Sequence, residues 1–429
     1  MRILFLDVFH GGSHAAVADG YARHSRNEVV VESLPIDGGW RWRMRGAAVT
    51  LARRVREQWG GGGHGGSGLV SGGSGLVSGG SGLVSGGSGL VSGGSGLVSG
   101  GSGLVSGGSG LVSGGSETRP FDFDLIIATD MLDLATFLGL TRDLTAGVPI
   151  AVYFHENQLT YPLPEGRTRD LAFPWTNYTT ALAADAVVFN SAFHQHAFLA
   201  ALPGLLNRFH DHRELDLIDT ITARSHVLHP GIDLTRLTPG VSGQGSGVRK
   251  QPFTLLWNSR WEYDKNPAAF FAALAALEAR GVDFRVIVAG EHIDPNHADF
   301  VVARARFASR TIAWGYAPDT ASYARLLHQA DVVVSTAVQE FFGISLVEAM
   351  ACGCVPVAPR RLAYPEVIPA AIHHHCLYNN DADMVEKLIA AAGLPPEVRT
   401  IAQTAAAHYD WSGMAPRYDA LFESLVDGT

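Results

Sequence analysis

Short runs of apolar residues alternate along the chain with longer stretches in which apolar residues recur at helical spacing. The short runs predict β-strands and the longer stretches predict α-helices, because strands of parallel sheets are apolar throughout whereas helices are apolar on one face. The β-α-β order predicts an α/β protein with parallel sheets covered by helices. The predicted strands are 2–8, 28–34, 123–130, 149–155, 185–191, 225–231, 253–259, 284–290, 311–316, 330–337 and 354–359.

The alternating pattern stops and restarts at residues 239–251, which are rich in glycine and serine. We therefore predict two Rossmann-like domains, over 1–238 and 252–405, joined by a hinge at 239–251. Residues 406–429 are expected to form a helix that crosses back to the N-terminal domain. In such a pair of domains the ligands bind in the cleft, at the carboxyl ends of the strands.

A Gly/Ser-rich insertion interrupts the first domain at residues 60–118, where GGSGLVS is repeated seven times over 65–113. Three glycines in every seven residues oppose helix formation, and the repeat is too short for a solenoid. We interpret the segment as a disordered, linker-like insertion and expect removal of residues 65–113 to leave activity nearly unchanged.

Composition excludes several classes of protein. No apolar run approaches the roughly 18–20 residues that a membrane span needs, and the N-terminus is too short and too soon polar for a signal peptide. The chain has 3 cysteines, which indicates a reducing cytoplasm rather than a disulfide framework. The net charge of -9 does not favour general nucleic-acid binding, although a local basic patch remains compatible with it.

The segment EFFGISLVE, residues 340–348, carries the most specific chemical signal. Glu340 follows a predicted strand, a helix begins near Gly343, and Glu348 lies just over one turn into that helix. The carboxylates can accept hydrogen bonds from sugar hydroxyls, and the free N–H groups at Gly343 and Ile344 favour an anion. The combination suits a nucleotide sugar, although an isolated pair of this kind is more often a pair of solvated helix-end charges.

A second loop carries the complementary charge. Arg260 and Lys265 follow the predicted strand 253–259 and reach the same edge of the same domain. A guanidinium and an ammonium there would neutralise a diphosphate and stabilise its departure. Surface bases on a loop are the simpler interpretation of these two residues alone, but their position opposite EFFGISLVE favours a donor site.

Together, Arg260, Lys265, Glu340 and Glu348 resemble the donor-binding half of retaining GT-B glycosyltransferases of family 4. Six motifs in order also resemble a narrower family, the glycosyltransferase-like domain-containing 1 proteins or tRNA-queuosine α-mannosyltransferases. The resemblance implies a GT-B fold, GDP-mannose as donor, and mannosyl transfer with retention to queuosine in a tRNA anticodon loop. The six motifs are LDVFHGGSH, WRWRMRG, YFHENQLTYP, DAVVFNSAFH, RWEYDKNP and QEFFGISLVEAMACGC.

The resemblance and the residue chemistry together assign a role to each candidate. His155 and Glu340 are expected at the reaction centre, with no metal or cofactor required. His155, at the end of a strand, would contact the transferred sugar or the acceptor hydroxyl, unless it is an ordinary satisfied strand-end histidine. The expected donor-binding residues are Gly11, Gly12, Arg260, Lys265, Phe342, Gly343, Ile344 and Glu348, and the expected acceptor-binding residues are Glu156, Asn157, Arg41, Arg43 and Arg45.

The basic segment around WRWRMR, residues 40–45, interleaves arginine with tryptophan in a predicted helix over 39–59. This composition suits phosphate contacts combined with stacking on unpaired bases, as in an anticodon loop. A helix on an anionic membrane surface and an amphipathic helix packed on the sheet are the alternatives.

Other functions stay open at the level of sequence. The acceptor could instead be a lipid, a glycan or a small molecule, or the chain could bind nucleotide sugar or RNA without turnover. Three further patterns are not assigned to function: Asp122-x-Asp124 is expected to be structural, His373–His375 a polar loop, and Cys352 and Cys354 packing residues.

Overall fold

The computed structural model describes residues 1–34, 39–60, 121–163, 166–238, 253–291 and 297–428. The predicted hinge, and nearly all of the predicted insertion, lie outside these residues, so both interpretations stay predictions. The limits of the two domains likewise stay predictions.

Each half of the described chain is built from alternating strands and helices. The elements before residue 239 are β1 (Arg2–Asp7), α1 (Gly12–His24), β2 (Glu28–Ser33), α2 (Trp40–Trp59), β3 (Leu125–Thr129), α3 (Leu134–Thr145), β4 (Ile150–Phe154), α4 (Ala172–Ala183), β5 (Ala186–Phe189), α5 (Ala192–Leu206), α6 (Leu217–Ala223) and β6 (Ser225–Val227). The elements after residue 252 are β7 (Phe253–Trp257), α7 (Pro267–Ala279), β8 (Phe284–Ala289), α8 (Ala298–Arg306), β9 (Thr311–Gly315), α9 (Thr320–Gln329), β10 (Val332–Val334), α10 (Ile344–Ala351), β11 (Val355–Pro359), α11 (Tyr364–Val367), α12 (His373–Cys376), β12 (Leu377–Tyr378), α13 (Asp381–Ala391), α14 (Pro396–Ala407) and α15 (Trp411–Asp427).

The strands of the described residues form two six-stranded sheets in which all the pairings are parallel. The first has the order β2-β1-β3-β4-β5-β6, and the second β12-β11-β10-β7-β8-β9. The chain reverses direction along the first sheet between β1 and β3, and along the second between β7 and β10. Ligands of open α/β sheets bind at such switch points, beyond the carboxyl ends of the strands.

The central strands are apolar throughout because both faces of each sheet are covered. All five residues of β3, of β4 and of β11 are buried. Parallel strands covered on both faces leave no solvent side on which polar residues could alternate. The predicted α/β class with two Rossmann-like sheets is confirmed.

The C-terminal helix α15 packs into the core of the first sheet. Trp411, at its start, stacks near Tyr21 of α1, and Tyr418 donates a hydrogen bond from its hydroxyl to that of Tyr153 at 3.0 Å. Space for the indole exists because Gly20 and Gly231 lack a side chain; a Cβ at Gly20 would lie 2.0 Å from Nε1 of Trp411. The last helix therefore belongs to the hydrophobic core of the first sheet although it follows the second sheet in sequence.

Two smaller expectations were imprecise. The predicted strand 225–231 is only three residues long as β6, and the triple histidine lies in the one-turn helix α12 rather than in a loop. Cys354 is buried in the second core, as expected of a packing residue. Within the described residues, no helix combines the length and the apolar character needed to cross a membrane.

Candidate active site

The carboxyl end of the first sheet gathers a cluster of ionisable side chains. Asp7 is the last residue of β1, Asp130 follows β3, and His155 follows β4. His14, in the first turn of α1, reaches this edge with Nδ1 3.5 Å from Oδ1 of Asp7. All four side chains are buried. Burial of charged groups is costly unless they are paired, so the geometry of this cluster determines their protonation.

The His14 and Asp7 side chains stabilise each other's charged forms. Burial opposes the imidazolium of His14, but the nearby Asp7 carboxylate, with the charge of Asp130, outweighs this effect and raises the pKa of His14. Burial also works against the Asp7 carboxylate, yet the neighbouring His14 lowers the pKa of Asp7. The cluster therefore favours a His14 cation paired with an Asp7 anion at the strand end.

His155 is held rigidly but has two ring nitrogens without a partner among the described residues. Its N–H donates to Oδ1 of Asp130 at 2.9 Å, and its carbonyl accepts from Nδ2 of Asn190 at 2.9 Å. The ring stacks on that of His14, with centroids 3.9 Å apart. Burial, with His14 and His194 next, lowers the pKa of His155 well below its usual value. A neutral His155 can therefore donate from one nitrogen and accept at the other.

Two carboxyl groups beside His155 hold protons more tightly than usual. Burial raises the pKa of Asp130 to about 7, although the charge of His14 opposes the rise. Burial also raises the pKa of Glu156, against the charges of His14 and Arg260. The Asp130 carboxyl therefore changes protonation near neutral pH, and Glu156 beside it also favours the protonated form, because both groups are desolvated and close to one another.

Lys265 forms the centre of a charge cluster on the second sheet. Its Nζ donates to the carbonyl of Gln339 at 3.0 Å and to Oε2 of Glu340 at 3.2 Å, and it lies 3.2 Å from Oδ2 of Asp264. Burial opposes the ammonium, but the charges of Glu340 and Asp264 outweigh it and raise the pKa of Lys265. Lys265 is thus a largely buried ammonium, 12% exposed, in the loop that follows β7, and its surroundings favour the charged form. Arg260 lies in the same loop and pairs with Glu262 at 3.2 Å.

The helix α10 begins at the same edge and presents its first turn beside these cations. Gly343 precedes it with φ +97°, a left-handed conformation that a side chain would strain. Glu348 lies one turn further on and is 4% exposed. Oε2 of Glu348 accepts from the Tyr323 hydroxyl at 2.9 Å, and Oε1 pairs with Arg236. The fold of the second half therefore positions the helix N-terminus, whereas Tyr323 of the second half and Arg236 of the first half together position the carboxylate.

Loops from the two halves of the chain touch at this point. The hydroxyl of Tyr161 donates to Oδ2 of Asp264 at 3.3 Å, and that of Tyr263 donates to the carbonyl of Pro162 at 2.8 Å. The stretch that follows β4 thus lies against the loop that carries Arg260 and Lys265. The two predicted halves of the site are brought together by these contacts.

Two cavities among the described residues lie beside the loops of the candidate site. One, of about 410 Å³, is lined by Gly12, Ile344 and Arg236 among others. The other, of about 740 Å³, is lined by Glu156, Arg260 and a set of further residues that includes Phe9, Arg41, Gln158, Arg167 and Phe173. The first cavity joins the glycine loop after β1 to the N-terminus of α10. The second joins the stretch after β4 to the basic segment of α2.

Three predicted contact residues have different environments from those expected. Arg43 is wholly buried and donates to the carbonyl of Val8, so it is not available as a surface contact to phosphate. Asn157 is also buried, and its Oδ1 accepts from the N–H groups of Leu159 and Thr160, which makes it a turn-capping residue. The Phe342 ring packs in the second core and leaves only its backbone for a ligand.

Arg41 and Arg45 are exposed, as expected of acceptor contacts. The Arg45 side chain is 61% exposed and pairs with Asp170 at 2.9 Å. Its guanidinium lies 5.2 Å from the centre of the Phe173 ring. Trp42 is 46% exposed. The basic helix therefore has one face on the core and another that carries arginine and tryptophan to the surface.

Several residues of the site are absent from the sequence-based set. Asp7, His14 and Asp130 lie at or just after strand ends or in the first turn of a helix, so the strand-end rule could have identified them. Asp264 lies between the predicted Arg260 and Lys265. Arg236 has no local signal, because only the tertiary fold brings it to Glu348. Among the described residues, no group of three or more His, Cys, Asp or Glu side chains is arranged to hold a metal ion.

Comparison with known proteins identifies the two halves separately. Residues 2–60 and 109–232 match the family described as tRNA-queuosine alpha-mannosyltransferase N-terminal. Residues 243–407 match the family described as glycosyl transferases group 1. The interpretation of the chain as a glycosyltransferase is confirmed by these matches.

Solved structures share the fold at low sequence identity. A sucrose-phosphate synthase from Thermosynechococcus elongatus superposes with a TM-score of 0.64 at 13% identity, over 100% of both chains. The apo structure of OtsA superposes with a TM-score of 0.62 at 12% identity, over 99% of each. These likenesses support the GT-B fold alone.

Similar sequences include two α-mannosyltransferases. A "GDP-mannose:cellobiosyl-diphosphopolyprenol alpha-mannosyltransferase" from Xanthomonas campestris is 27% identical, over 66% of this chain and 69% of that protein. A "tRNA-queuosine alpha-mannosyltransferase" from Drosophila melanogaster is 34% identical, over 65% of this chain and 73% of that protein. With this degree and extent of identity, and with the N-terminal family match, the chain belongs to the tRNA-queuosine α-mannosyltransferase family.

Proposed function

We propose that the protein moves mannose, with retention, from GDP-mannose to queuosine in a tRNA anticodon loop. The observation that carries the proposal is the contact between the stretch after β4 and the loop of Arg260 and Lys265, in a chain of this family. That stretch begins with His155, whose two ring nitrogens have no hydrogen-bond partner among the described residues. Its partners are then a nucleotide sugar and a tRNA, and its compartment is the cytoplasm. Residues 1–238 form the acceptor side and residues 252–405 the donor side.

Departure of the nucleotide diphosphate is the step that the second half assists. The bond between C1 of mannose and the β-phosphate oxygen breaks, and its electron pair leaves with the phosphate. Arg260, Lys265 and the N–H groups at the start of α10 stabilise the growing negative charge. Glu340 holds hydroxyls of the sugar and Glu348 holds the ribose. No metal is required, because the compensating charges are side chains.

Attack by the acceptor follows on the face from which the phosphate departs. An oxygen of the cyclopentenediol forms the new bond to C1, and its proton passes to the departing phosphate oxygen. His155, neutral and rigid, contacts the transferred sugar or the attacking hydroxyl through its ring nitrogens. Glu156 lines the larger cavity and is positioned to accept a hydrogen bond from the acceptor diol.

The larger cavity suits a nucleotide withdrawn from a single-stranded loop. Its volume of about 740 Å³ lies within the usual range of small-molecule sites. Proteins that recognise RNA by sequence commonly splay out unpaired bases and bind their edges. Arg41 and Arg167, on the wall of this cavity, would contact flanking phosphates.

Mass analysis of nucleosides after incubation with GDP-mannose tests the proposed reaction. We expect queuosine from the treated tRNA to gain one hexose. The same tRNA with guanosine in place of queuosine should stay unmodified, and UDP-sugars should transfer far less than GDP-mannose. Unmodified queuosine after long incubation with each donor would contradict the proposal.

A lipid-linked acceptor is the second candidate, favoured by the similarity to the Xanthomonas campestris mannosyltransferase of lipid-linked cellobiose. Hexose transfer to a polyprenyl-diphosphate glycan, with none to tRNA, would identify that class. Binding of donor and tRNA without transfer to either acceptor would identify a protein that binds without turnover.

Neutralising the exposed arginines of α2 is expected to weaken tRNA binding in a salt-dependent manner. Arg41→Gln and Arg45→Gln should each reduce affinity similarly for all tRNA sequences, and the slope of log K against log salt should fall by about one per lost phosphate contact. Filter binding over a salt series measures both. The control is Arg304→Gln on α8, an exposed arginine of the second half. Unchanged affinity and an unchanged slope in both α2 variants would show that this helix does not contact the tRNA.

A further inference from the structure

The ion pair between Arg236 and Glu348 links the segment before the predicted hinge to the donor side. Arg236 lies in a short 3₁₀ turn, Thr235–Leu237, which is the last element before residue 239. Its guanidinium pairs with Oε1 of Glu348, 112 residues later in the chain. Arg236 is 42% exposed whereas Glu348 is 5% exposed, measured on the side chains. The cation thus covers a carboxylate that the rest of the fold buries.

The backbone of this segment is fixed on both sides of Arg236. The N–H of Leu234 donates to Oδ2 of Asp410 at 3.2 Å, and the carbonyl of Leu237 contacts Nε2 of His328 at 2.9 Å. Leu237 itself is buried. The guanidinium therefore reaches Glu348 from a turn whose backbone is anchored on both sides. The pair is a fixed feature of the fold rather than a chance contact at the surface.

Arg236 also borders the smaller cavity, of about 410 Å³, which is lined as well by Gly12 and Ile344. Gly12 belongs to the loop after β1, and Ile344 is the first residue of α10. These are the two backbone positions at which the proposed donor phosphates approach the protein. Arg236 therefore lies on the wall of the space in which the proposed donor is held, with Glu348 directly behind it.

We propose that Arg236 is a positioning residue, which keeps the Glu348 carboxylate ionised and oriented for the ribose hydroxyls of the donor. This inference rests on the proposed role of Glu348. It assigns to the segment before the hinge a part in donor recognition. Arg236 acts through Glu348, so its removal weakens the binding of any ribonucleoside diphosphate, whichever base it carries.

The charges around Glu348 give the proposal a pH signature. Burial raises the pKa of Glu348, and Arg236 and the Tyr323 hydroxyl oppose the rise. The Cys352 thiol, just after the end of α10, is also near Glu348, but burial, with Glu348, raises the pKa of Cys352 to about 12, so it stays neutral. Arg236 is the cation that opposes the effect of burial on Glu348. When Arg236 is lost, the pKa of Glu348 therefore rises further. The carboxylate becomes ionised, and competent to bind ribose, only at higher pH.

Calorimetric titration of the full-length protein with GDP and with UDP, from pH 6 to 9, tests the inference. We expect Arg236→Ala to bind more weakly than wild type at the low-pH end of this series and to recover affinity as the pH rises, because the ionised fraction of a carboxyl falls about tenfold for each pH unit below its pKa. Arg236→Lys should restore part of the affinity and the wild-type pH profile. Kinetically, the change should fall on KM for the donor, with kcat for transfer largely retained.

A double-mutant cycle separates action through Glu348 from a direct contact. In the Glu348→Gln background, Arg236→Ala should have no further effect on affinity and the pH dependence should vanish. Arg23→Ala removes another cation that lines the same cavity without pairing to Glu348, and it should keep the wild-type pH profile. Additive losses in the cycle, or an unshifted pH profile in Arg236→Ala, would overturn the proposal.

The wild-type titrations distinguish this inference from the proposed function. Binding of UDP but not GDP would exclude GDP-mannose as donor and still leave the Arg236 variants decisive, because the ribose is common to both nucleotides. Absence of binding of both nucleotides to wild type would overturn the donor site and the role of Arg236 together. Tight donor binding without transfer to tRNA would exclude the proposed acceptor alone.

Discussion

Replacing Lys265 by alanine is expected to lower kcat for mannosyl transfer by about 10²–10³-fold, the usual loss when one preorganised donor to a developing charge is removed. The ammonium is largely buried and is held by Asp264, Gln339 and Glu340, so it needs little reorganisation when the diphosphate departs. Radiolabelled transfer from GDP-mannose to tRNA under saturating substrates measures the change.

The matched control for this prediction is Lys387→Ala. Lys387 lies on α13 and pairs with Asp383 at 3.9 Å, away from the proposed donor loop, so transfer should be unaffected. Removal of Lys265 also leaves two carboxylates without their cation, which costs stability. Retained tRNA affinity and a cooperative thermal transition show that the variant is folded, and Lys265→Arg supplies a second variant with the charge intact. A kcat within a few-fold of wild type in folded Lys265→Ala would contradict the assignment.

Replacing Trp411 by alanine is expected to reduce the free energy of unfolding by about 3–5 kcal/mol, the usual range for a large aromatic side chain removed from a core. Trp411 is 1% exposed and fills the space that Gly20 and Gly231 leave open. Its loss creates a cavity at the junction of α1 and α15, and Tyr21 and Tyr418 lose a packing neighbour. Thermal and urea unfolding measure the change.

Trp42→Ala serves as the comparison for this prediction because it deletes the same side chain at a position that is 46% exposed. Its effect on stability should be less than half that of Trp411→Ala, since much of the Trp42 ring is already in water. Equal losses for the two tryptophans would show that α15 does not depend on the indole for its packing.

Much of the fold could be predicted from local pattern. Fully apolar strands such as β3 and β4 are buried on both faces, and that arrangement is typical of parallel sheets. The restart of the pattern after residue 252 predicted the second sheet, and the motif match predicted the family. The candidate residues after the strand ends, with His155 after β4 and Arg260 and Lys265 in the loop after β7, were proposed from the rule that ligands bind at the carboxyl edge.

The environments of individual side chains were harder to predict than the fold, because residues distant in sequence determine whether a side chain is exposed or buried. Arg43 belongs to a helix with arginine at alternate positions, and only the packing of that helix shows which arginine points inward to Val8. Asn157 has the side chain of a ligand contact, yet its Oδ1 caps the turn that follows β4. From the sequence alone, a polar side chain that hydrogen-bonds inside the protein cannot be distinguished from one that contacts a ligand at the surface.

The sequence by itself determined the class of sheet, the order of the elements and the family, since these depend on apolar periodicity and on motifs a few residues long. Only the tertiary structure decided the protonation and pairing of the site. It stacked His14 on His155, joined Tyr161 to Asp264 and brought Arg236 to Glu348 across 112 residues. The physical reason is that desolvation and charge pairing depend on distances in space, which local patterns do not contain.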